Sequence, residues 1–218
     1  LNRQPLIQEL RMNSLPNVAV KKHNIKGSFD CSTKYQTQIS FPYRQEKRDL
    51  FAYPDFGIYI YRSPSLFLSI RVGSIGHLGR GGHAHNDQLS VELVINGETI
   101  VRDPGTYLYT PLPKRRNDYR SVKAHFAPQI KGQEPSGIET GVFLLDSDPK
   151  GKCLHFDQTS FLGMHTGYGF AIYRKVEFKE NIVVTDYSEG EGLVQLEDLL
   201  KQVQKVPFSP GYGIIDKI

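Results

Sequence analysis

The sequence predicts an all-β fold, a large antiparallel β-sandwich with at most short helices. Its 218 residues include 12 Tyr and 12 Phe but only 2 Met and no Trp. Aromatic and β-branched residues come in short runs that Gly, Pro, Asn and Asp separate, which favours strands joined by turns. No internal repeat with a period of about 20–50 residues is present, so the pattern indicates a packed domain and not a solenoid.

The first clear element is a hairpin. Residues 56–62 and 66–72 are apolar runs on either side of Ser63-Pro64-Ser65, which is a turn sequence. We therefore expect residues 51–218 to form the sandwich and residues 1–50, whose patterns are weaker, to form an irregular segment that leads into it. Within that segment the element candidates are a helix at 6–12 and strands at 18–20 and 38–41.

A second hairpin is predicted around Asn96-Gly97, the strongest short turn signal between antiparallel strands. Residues 88–95 alternate between apolar and polar before this turn, and residues 98–102 return after it. Counting back from the turn pairs Leu93 with Ile100.

The strand pattern resumes after a loop rich in Pro and Arg at residues 111–119. Residues 196–203 have helical spacing and residues 203–208 have a strand pattern, and periodicity alone does not decide between the two near the overlap. The remaining strand candidates are residues 125–130, 141–145, 153–159, 170–178 and 181–187.

Charge and cysteine content limit the classes of function. The net charge is +4. Its basic cluster, residues 114–116 with Arg120 and Lys123, is either a solvated loop or a surface for an anionic partner. The cluster lacks the interleaved aromatics and reader motifs of nucleic-acid binding. No apolar run approaches the ~20 residues of a membrane span. Cys31 and Cys153 have no metal-type spacing, and either a disulfide or two thiols fits them.

The chemistry-bearing residues concentrate between residues 79 and 125. His85 lies five residues before Ser90, which the counted register pairs with Asp103. The imidazole is about 16 Å from that pair if the strand simply continues at ~3.3 Å per residue. His85 and Asp103 can therefore share a ligand only if the loop folds back over the strand end, and Gly81-Gly82 supplies the backbone freedom.

Two interpretations of these side chains stay open. Imidazoles plus a carboxylate are a frequent Zn²⁺ shell, and His85, Asp103 and His125 are the natural contributors, with Asp87 in reserve. If zinc binds there, His83, two residues from His85, either lies on the same face of the chain as His85 or points into a cleft. Alternatively, the histidines are hydrogen-bonded loop residues, and Asp103 caps its own Asp-Pro-Gly turn.

The same region contains groups suited to acid–base catalysis and anion binding. In acid–base catalysis, histidine and tyrosine side chains remove and return protons. The basic cluster is surrounded by Tyr107, Tyr109 and Tyr119. Arginines such as Arg116 and Arg120 hold carboxylates or sulfates in bidentate fashion. Each tyrosine taken alone also fits the core or the rim of a domain.

Other catalytic motifs are absent from the sequence. It contains no G-x-S-x-G elbow, no P-loop and no G-x-G-x-x-G fingerprint. A cupin, a rival metal-binding barrel with an H-x-H pair, is disfavoured because Glu92 comes seven positions after His85, later than a cupin places its acidic ligand.

Four motifs follow one another along the chain: G-G-H-A-H-N-D at 81–87, D-P-G-T-Y-L-Y-T at 103–110, R-N-D-Y-R-S at 116–121 and A-H at 124–125. Together they resemble the heparinase II/III-like polysaccharide lyases, closely over residues 53–133 and loosely elsewhere. The resemblance implies that the chain is a C-terminal antiparallel β-sandwich, which follows an N-terminal α/α toroid in the whole protein.

The resemblance also implies roles for single residues, and the residue chemistry above adds others. Zinc is expected to hold residues 79–87, which we call the glycine-rich loop, against the Asp103 turn, a mostly structural task. Phe126 replaces the Asn that commonly follows the motif histidine. The residues assigned are His85, Asp103 and His125 to zinc, His83, Tyr107 and Tyr119 to catalysis, and Arg116, Arg120 and Asn86 to substrate binding.

The implied function is β-elimination of an acidic, uronic-acid-containing polysaccharide of heparin, heparan or alginate type. In the family, the toroid supplies a catalytic Tyr and an Asn or His that neutralises the substrate carboxylate, and residues 1–49 are too short to be a toroid. We therefore expect this chain to be a piece of a longer or matured protein, in a bacterial periplasm or at the cell surface, and nearly inactive alone. The alternative is a non-catalytic carbohydrate-binding or assembly module of a polysaccharide synthesis or export system.

Overall fold

The computed structural model describes residues 33–39, 46–76 and 80–216, and it confirms the predicted all-β sandwich. In these residues, two five-stranded antiparallel sheets pack face to face. Sheet I contains β2 (Asp49–Tyr53), β3 (Ile58–Arg62), β4 (Leu66–Arg71), β5 (Ser90–Ile95) and β6 (Glu98–Val101), neighbours in that order. Sheet II contains β1 (Thr33–Ile39), β10 (Ile182–Ser188), β9 (Ile172–Phe178), β8 (Ser160–His165) and β7 (Lys152–Phe156), also neighbours in that order.

The core lies between the two sheets because alternate side chains of each strand point to the same face. Leu68 and Ile70 of sheet I are fully buried there, as is Phe161 of sheet II. Aromatic side chains bridge the sheets, and the ring centroids of Tyr61 and Phe156 lie 4.9 Å apart. Full burial of one such apolar side chain stabilises the fold by roughly 1.5–3 kcal/mol.

The hairpin between β5 and β6 turns at Asn96-Gly97 as predicted, with φ of 52° and 83°. Positive φ at both central residues matches the twist of the flanking strands. The register differs from the count, because Leu93 pairs with Val101 and not with Ile100. A β-bulge places one extra residue in β6, and it brings the buried Val101 beside Leu93 in the core. The counted pairing therefore holds for Ile95 and Val94 but is wrong at Leu93, on the far side of the bulge from the turn.

A short helix, α1 (Pro113–Arg120), replaces the predicted loop at residues 111–119. Pro113 lies in the first turn, where a missing backbone N–H is tolerated. Arg116, Tyr119 and Arg120 are buried along one face. The prediction was wrong because the sequence pattern of α1 lacks apolar periodicity, and its buried face is made of polar side chains and one aromatic ring.

The second helix, α2 (Leu196–Val203), confirms the helical spacing at residues 196–203. Its Leu196, Leu199 and Val203 side chains are buried against the sandwich, and residues 204–208 form no strand. The helices α1 and α2 have only eight residues each, and the described residues contain no membrane-spanning helix.

Among the later strand predictions, those at 153–159, 170–178 and 181–187 correspond to β7, β9 and β10. Residues 125–130 and 141–145 were wrongly predicted as strands and have irregular backbone instead. Every residue from 125 to 130 is buried, so the apolar run reflects a buried loop. Strand β8 was not predicted, because Gly163 interrupts its pattern.

Strand β1 lies inside the segment predicted to be irregular, where it pairs with β10 at the edge of sheet II. The predicted helix at 6–12, the strand candidate at 18–20 and Cys31 lie outside the described residues.

Candidate functional site

The glycine-rich loop folds back over the end of β5. This is the arrangement that His85 and Asp103 need in order to share a site. The Asn86 backbone N–H donates to the Arg120 carbonyl at 2.9 Å, and that of Ser90 donates to the Asp87 carbonyl at 2.9 Å. Leu89, inside the turn that the Asp87–Ser90 bond closes, has a φ of +64°. Non-glycine residues in the left-handed region are strained and cluster at functional sites.

The fold-back brings two predicted ligands close to a third. The ring centroids of His85 and His125 lie 5.3 Å apart. The His125 Nδ1 atom lies 2.9 Å from Asp103 Oδ2, while Asp103 Oδ1 accepts a hydrogen bond from the Gly105 N–H at 2.8 Å. His85 and His125 are both buried. The structure therefore places these three side chains in one cluster.

The protonation states within the cluster differ. Burial by itself raises the pKa of Asp103, but the His125 imidazolium outweighs it and lowers that pKa to about 2. Burial lowers the pKa of His125, and the nearby Asp103 carboxylate more than offsets this, so the pKa of His125 is raised. Burial and the positive charge of His125 lower the pKa of His85 well below its usual value. The cluster thus holds an ion pair beside a neutral imidazole.

The neutral state of His85 agrees with its hydrogen bonding. His85 Nε2 lies 2.7 Å from Arg116 Nη1 and 3.3 Å from Thr106 Oγ1. Because a guanidinium only donates, Nε2 is the acceptor and the ring proton is on Nδ1. The lone pair that would bind a metal ion is therefore directed at Arg116.

The donor types of the cluster fit zinc, since two imidazoles and a carboxylate are a frequent shell. The Nδ1 atom of His125 pairs with Asp103, whereas its buried Nε2 atom has no hydrogen-bond partner among the described residues. In the same part of the chain, however, no three His, Cys, Asp or Glu side chains are arranged to hold a metal ion. Arg116 covers His85 Nε2, so metal binding requires Arg116 to move.

His83 lies on the surface beside this cluster. Its ring packs edge-on against Tyr109, with centroids 5.6 Å apart, and against Phe143, with centroids 5.9 Å apart. His83 is therefore available to a ligand, unlike His85.

The two predicted tyrosines differ in their availability. Tyr107 has a φ of +58°, and its half-buried ring lies 5.4 Å from that of Tyr119. The Tyr119 ring is buried, and its hydroxyl donates to the Pro207 carbonyl at 2.8 Å. Burial also raises the pKa of Tyr119. Tyr119 is therefore a packing residue inside the site, whereas Tyr107 remains accessible to a ligand.

The three predicted substrate-binding side chains, Arg116, Arg120 and Asn86, are all fully buried. The Arg120 guanidinium donates to four backbone carbonyls between residues 138 and 144, at 2.6 to 2.8 Å. The Asn86 amide donates to the Ser136 carbonyl at 2.7 Å. These contacts hold the site loops together, so Arg120 and Asn86 have interior positions and do not present their side chains to a ligand.

Sequence reasoning did not identify Glu134. Its carboxylate accepts hydrogen bonds from Asn86 Nδ2 at 2.7 Å, from the Val122 N–H at 2.9 Å and from Ser121 Oγ. Glu134 thereby ties the glycine-rich loop to the segment after α1. It lies in a loop with no motif or periodicity, so no sequence signal points to it.

Sequence reasoning also did not identify Arg174, which links sheet II to the site. Its Nη1 donates to the Leu89 carbonyl at 3.1 Å and to the Phe126 carbonyl. Asp186, directly opposite on β10, accepts two hydrogen bonds from Arg174 at 2.7 Å each. Phe126 follows His125, so Arg174 helps to position that imidazole. A charged residue at an inward position of β9 is the sequence signal that could have identified it.

Comparison with known proteins supports the family resemblance. The family model described as heparinase II/III-like, C-terminal, matches residues 45–197. No curated protein matches the sequence.

Solved structures of heparinase III share the fold. One crystal structure is 18% identical with a TM-score of 0.53, and the match covers 68% of this chain and 24% of that chain. A heparinase III gene product is 16% identical with a TM-score of 0.51, covering 64% and 22%. Its form with methylated lysines is 15% identical with a TM-score of 0.50, covering 63% and 21%. The matched region thus spans about a quarter or less of these proteins.

The family match extends from just before β2 to the start of α2. It includes the four motifs and the cluster of His85, Asp103 and His125. The chain belongs to the heparinase II/III-like C-terminal domain family.

Proposed function

We propose that this chain is the C-terminal β-sandwich of a polysaccharide lyase that cleaves a uronic-acid-containing polysaccharide by β-elimination. The observation that carries the proposal is the family match over residues 45–197, within which an exposed imidazole, His83, lies beside the cluster of His85, Asp103 and His125.

In β-elimination, a base removes the proton on the carbon next to the substrate carboxylate. The electron pair forms a carbon–carbon double bond, the bond to the glycosidic oxygen breaks, and an acid protonates the departing oxygen. His83 and Tyr107 are the accessible groups of this chain for these proton transfers. The carboxylate must be neutralised to make the proton acidic, a task that we assign to an N-terminal toroid of the parent protein.

The metal is part of the proposal. His85, Asp103 and His125 would hold zinc, which would fix the glycine-rich loop against the Asp103 turn and the segment after α1. Arg116 would leave His85 Nε2 and gain freedom to meet an anionic group. The proton transfers remain with His83 and Tyr107.

The test compares the 218-residue chain with its full-length parent on heparin, heparan sulfate, alginate, chondroitin sulfate and hyaluronan. Formation of an unsaturated uronate is followed by its ultraviolet absorbance. We expect product from the parent protein and little or none from the chain alone. The His83→Ala parent should lose activity, whereas the Phe51→Ala parent should keep it, because Phe51 lies on β2 outside the site.

Two observations favour a second candidate, a non-catalytic carbohydrate-binding module. Arg120 and Asn86 are used inside the fold, and the exposed surface around His83 is aromatic. A parent protein that binds one of these polysaccharides but forms no unsaturated product would support the module and contradict the lyase.

A further inference from the structure

Three aromatic side chains from distant parts of the chain meet on the surface next to His83. The rings of Tyr109 and Phe143 are nearly parallel, with centroids 5.6 Å apart and an interplanar angle of 29°. Those of Tyr109 and Tyr212 are 5.7 Å apart at 27°. We call Tyr109, Phe143 and Tyr212 the aromatic row.

The outer members of the aromatic row are open to solvent. Phe143 is 44% exposed and Tyr212 is 58% exposed. Exposed apolar side chains that cluster together mark binding surfaces, whereas scattered ones need no explanation. His83, at the edge of the row, adds an imidazole that can donate a hydrogen bond to a ligand or accept one from it.

Positive charge adjoins the row. The Arg116 guanidinium carbon lies 5.1 Å from the centre of the Tyr109 ring. Arg116 is fully buried, and its Nε and Nη2 groups have no hydrogen-bond partner among the described residues. Unpaired buried donors are costly, so a ligand with acceptor oxygens would be stabilised here. Lys114 and Arg115 are both exposed on α1 and add positive charge to that helix, although Arg115 also pairs with Asp118 at 3.4 Å.

We propose that the aromatic row is a binding subsite for consecutive sugar rings of an anionic polysaccharide. The apolar C–H faces of the sugars stack on Phe143 and Tyr212, and a carboxylate or sulfate of the same chain meets Arg116 and the cations of α1. Flat rings flanked by a few charged donors are the usual composition of such sites. This inference rests on the proposed function and extends it, because it assigns the stacking contacts to Phe143 and Tyr212, which lie outside the four motifs.

The test measures the affinity of the 218-residue chain for a heparan sulfate oligosaccharide by titration calorimetry. We expect Phe143→Ala and Tyr212→Ala each to weaken binding by about three- to tenfold, the range of one aromatic stacking contact. Tyr212→Phe should bind like the unmodified chain, because stacking needs the ring and not the hydroxyl. A neutral glucan oligosaccharide of equal length should bind more weakly than the anionic one.

The matched control is Phe51→Ala. Phe51 is 40% exposed and lies on the outward face of β2, so its loss removes a similar exposed ring outside the row. Affinity that stays unchanged in both Phe143→Ala and Tyr212→Ala would overturn the subsite, while a parent protein that still forms product would leave the proposed function standing. A chain that binds no acidic polysaccharide would overturn the subsite, and a parent protein that also forms no product would overturn the lyase.

Discussion

At the residue scale, Arg174 and Asp186 form an ion pair inside the sandwich, and both side chains are fully buried. Removing two charges from water is costly, and good geometry is needed to offset the loss. The pair meets this condition, because each carboxylate oxygen accepts one hydrogen bond at 2.7 Å. The remaining Arg174 donor serves the carbonyls of Leu89 and Phe126, so stability and site geometry depend on the same side chain.

We predict that Asp186→Asn lowers the free energy of unfolding by about 3–5 kcal/mol, because it leaves the Arg174 charge buried without a counter-ion. Urea denaturation measures the change. The control is Lys175→Gln on β9, next to Arg174. The surface pair of Lys175 with Glu177 spans 2.9 Å and contributes no more than about 1 kcal/mol. Equal effects of the two substitutions would contradict the role of the buried pair.

A second prediction concerns His165, a fully buried side chain of β8. Burial, assisted by the positive charge of Arg174, lowers the pKa of His165 from 6.5 to about 4. The unfolded chain binds more protons between these two values, so the contribution of His165 to stability is complete above pH 6.5 and is lost as the pH falls towards 4. The loss amounts to about 3 kcal/mol.

Denaturation across this pH range tests the prediction against the variant His165→Gln, which cannot titrate. The free energy of unfolding should fall more steeply with decreasing pH in the unmodified chain than in the variant. Contributions from other groups cancel in the comparison. Parallel profiles would mean that His165 is not the titrating group.

At the element scale, close contact between β8 and the end of the glycine-rich loop fixes the loop on the sandwich. Gly163 lies opposite Arg174 in sheet II. A Cβ atom at Gly163 would lie 2.6 Å from Leu89 Cδ2 and 2.8 Å from the Phe161 ring. Glycine is therefore needed in β8, where it interrupts the strand pattern but lets Leu89 pack against the sheet.

We predict that Gly163→Ala destabilises the fold by about 1–3 kcal/mol through overpacking. Gly82→Ala is the control, because the nearest atom to its added Cβ is the Phe143 carbonyl oxygen at 3.6 Å, an ordinary contact. Thermal denaturation of both variants measures the difference. A Gly163→Ala variant as stable as Gly82→Ala would show that β8 has room for a side chain.

At the scale of the whole molecule, the site is assembled at one end of the sandwich from segments that sheet I and α1 present. His85 precedes β5, Asp103 follows β6, and His125 follows α1. The sandwich supplies a rigid base for these connections, and Arg174 anchors two of them to sheet II. A metal ion that joins all three would therefore add to the stability of the whole fold.

We predict that protein purified without added zinc contains it in near-stoichiometric amount, and that a chelator lowers the melting temperature. Elemental analysis and thermal denaturation measure both. His85→Ala and Asp103→Ala should lose the metal, because each removes one ligand. His155→Ala should keep it, since His155 pairs with Asp157 in sheet II at 3.0 Å. Metal-free protein with an unchanged melting temperature in chelator would contradict the zinc site.

Several features of the fold could be predicted from sequence because they depend on neighbouring residues. Asn96-Gly97 specifies its turn through the positive φ that both residues tolerate, and the alternation of residues 88–95 specifies which face of β5 is buried. The β-bulge in β6 could not be predicted, since it depends on how Val101 packs in the core. α1 was missed for a similar reason, because Arg120 is stabilised by carbonyls about 20 residues away in the sequence.

The sequence by itself determined the fold class, the order of the four motifs and the requirement that the glycine-rich loop turn back. Each of these follows from residue types and spacings along a local stretch of chain. Only the tertiary structure decided that Arg116 covers His85, that Arg120 and Asn86 are buried, and that Phe143 and Tyr212 both pack on Tyr109. These contacts join residues that are distant in sequence, and the packing of the two sheets determines which of them come together.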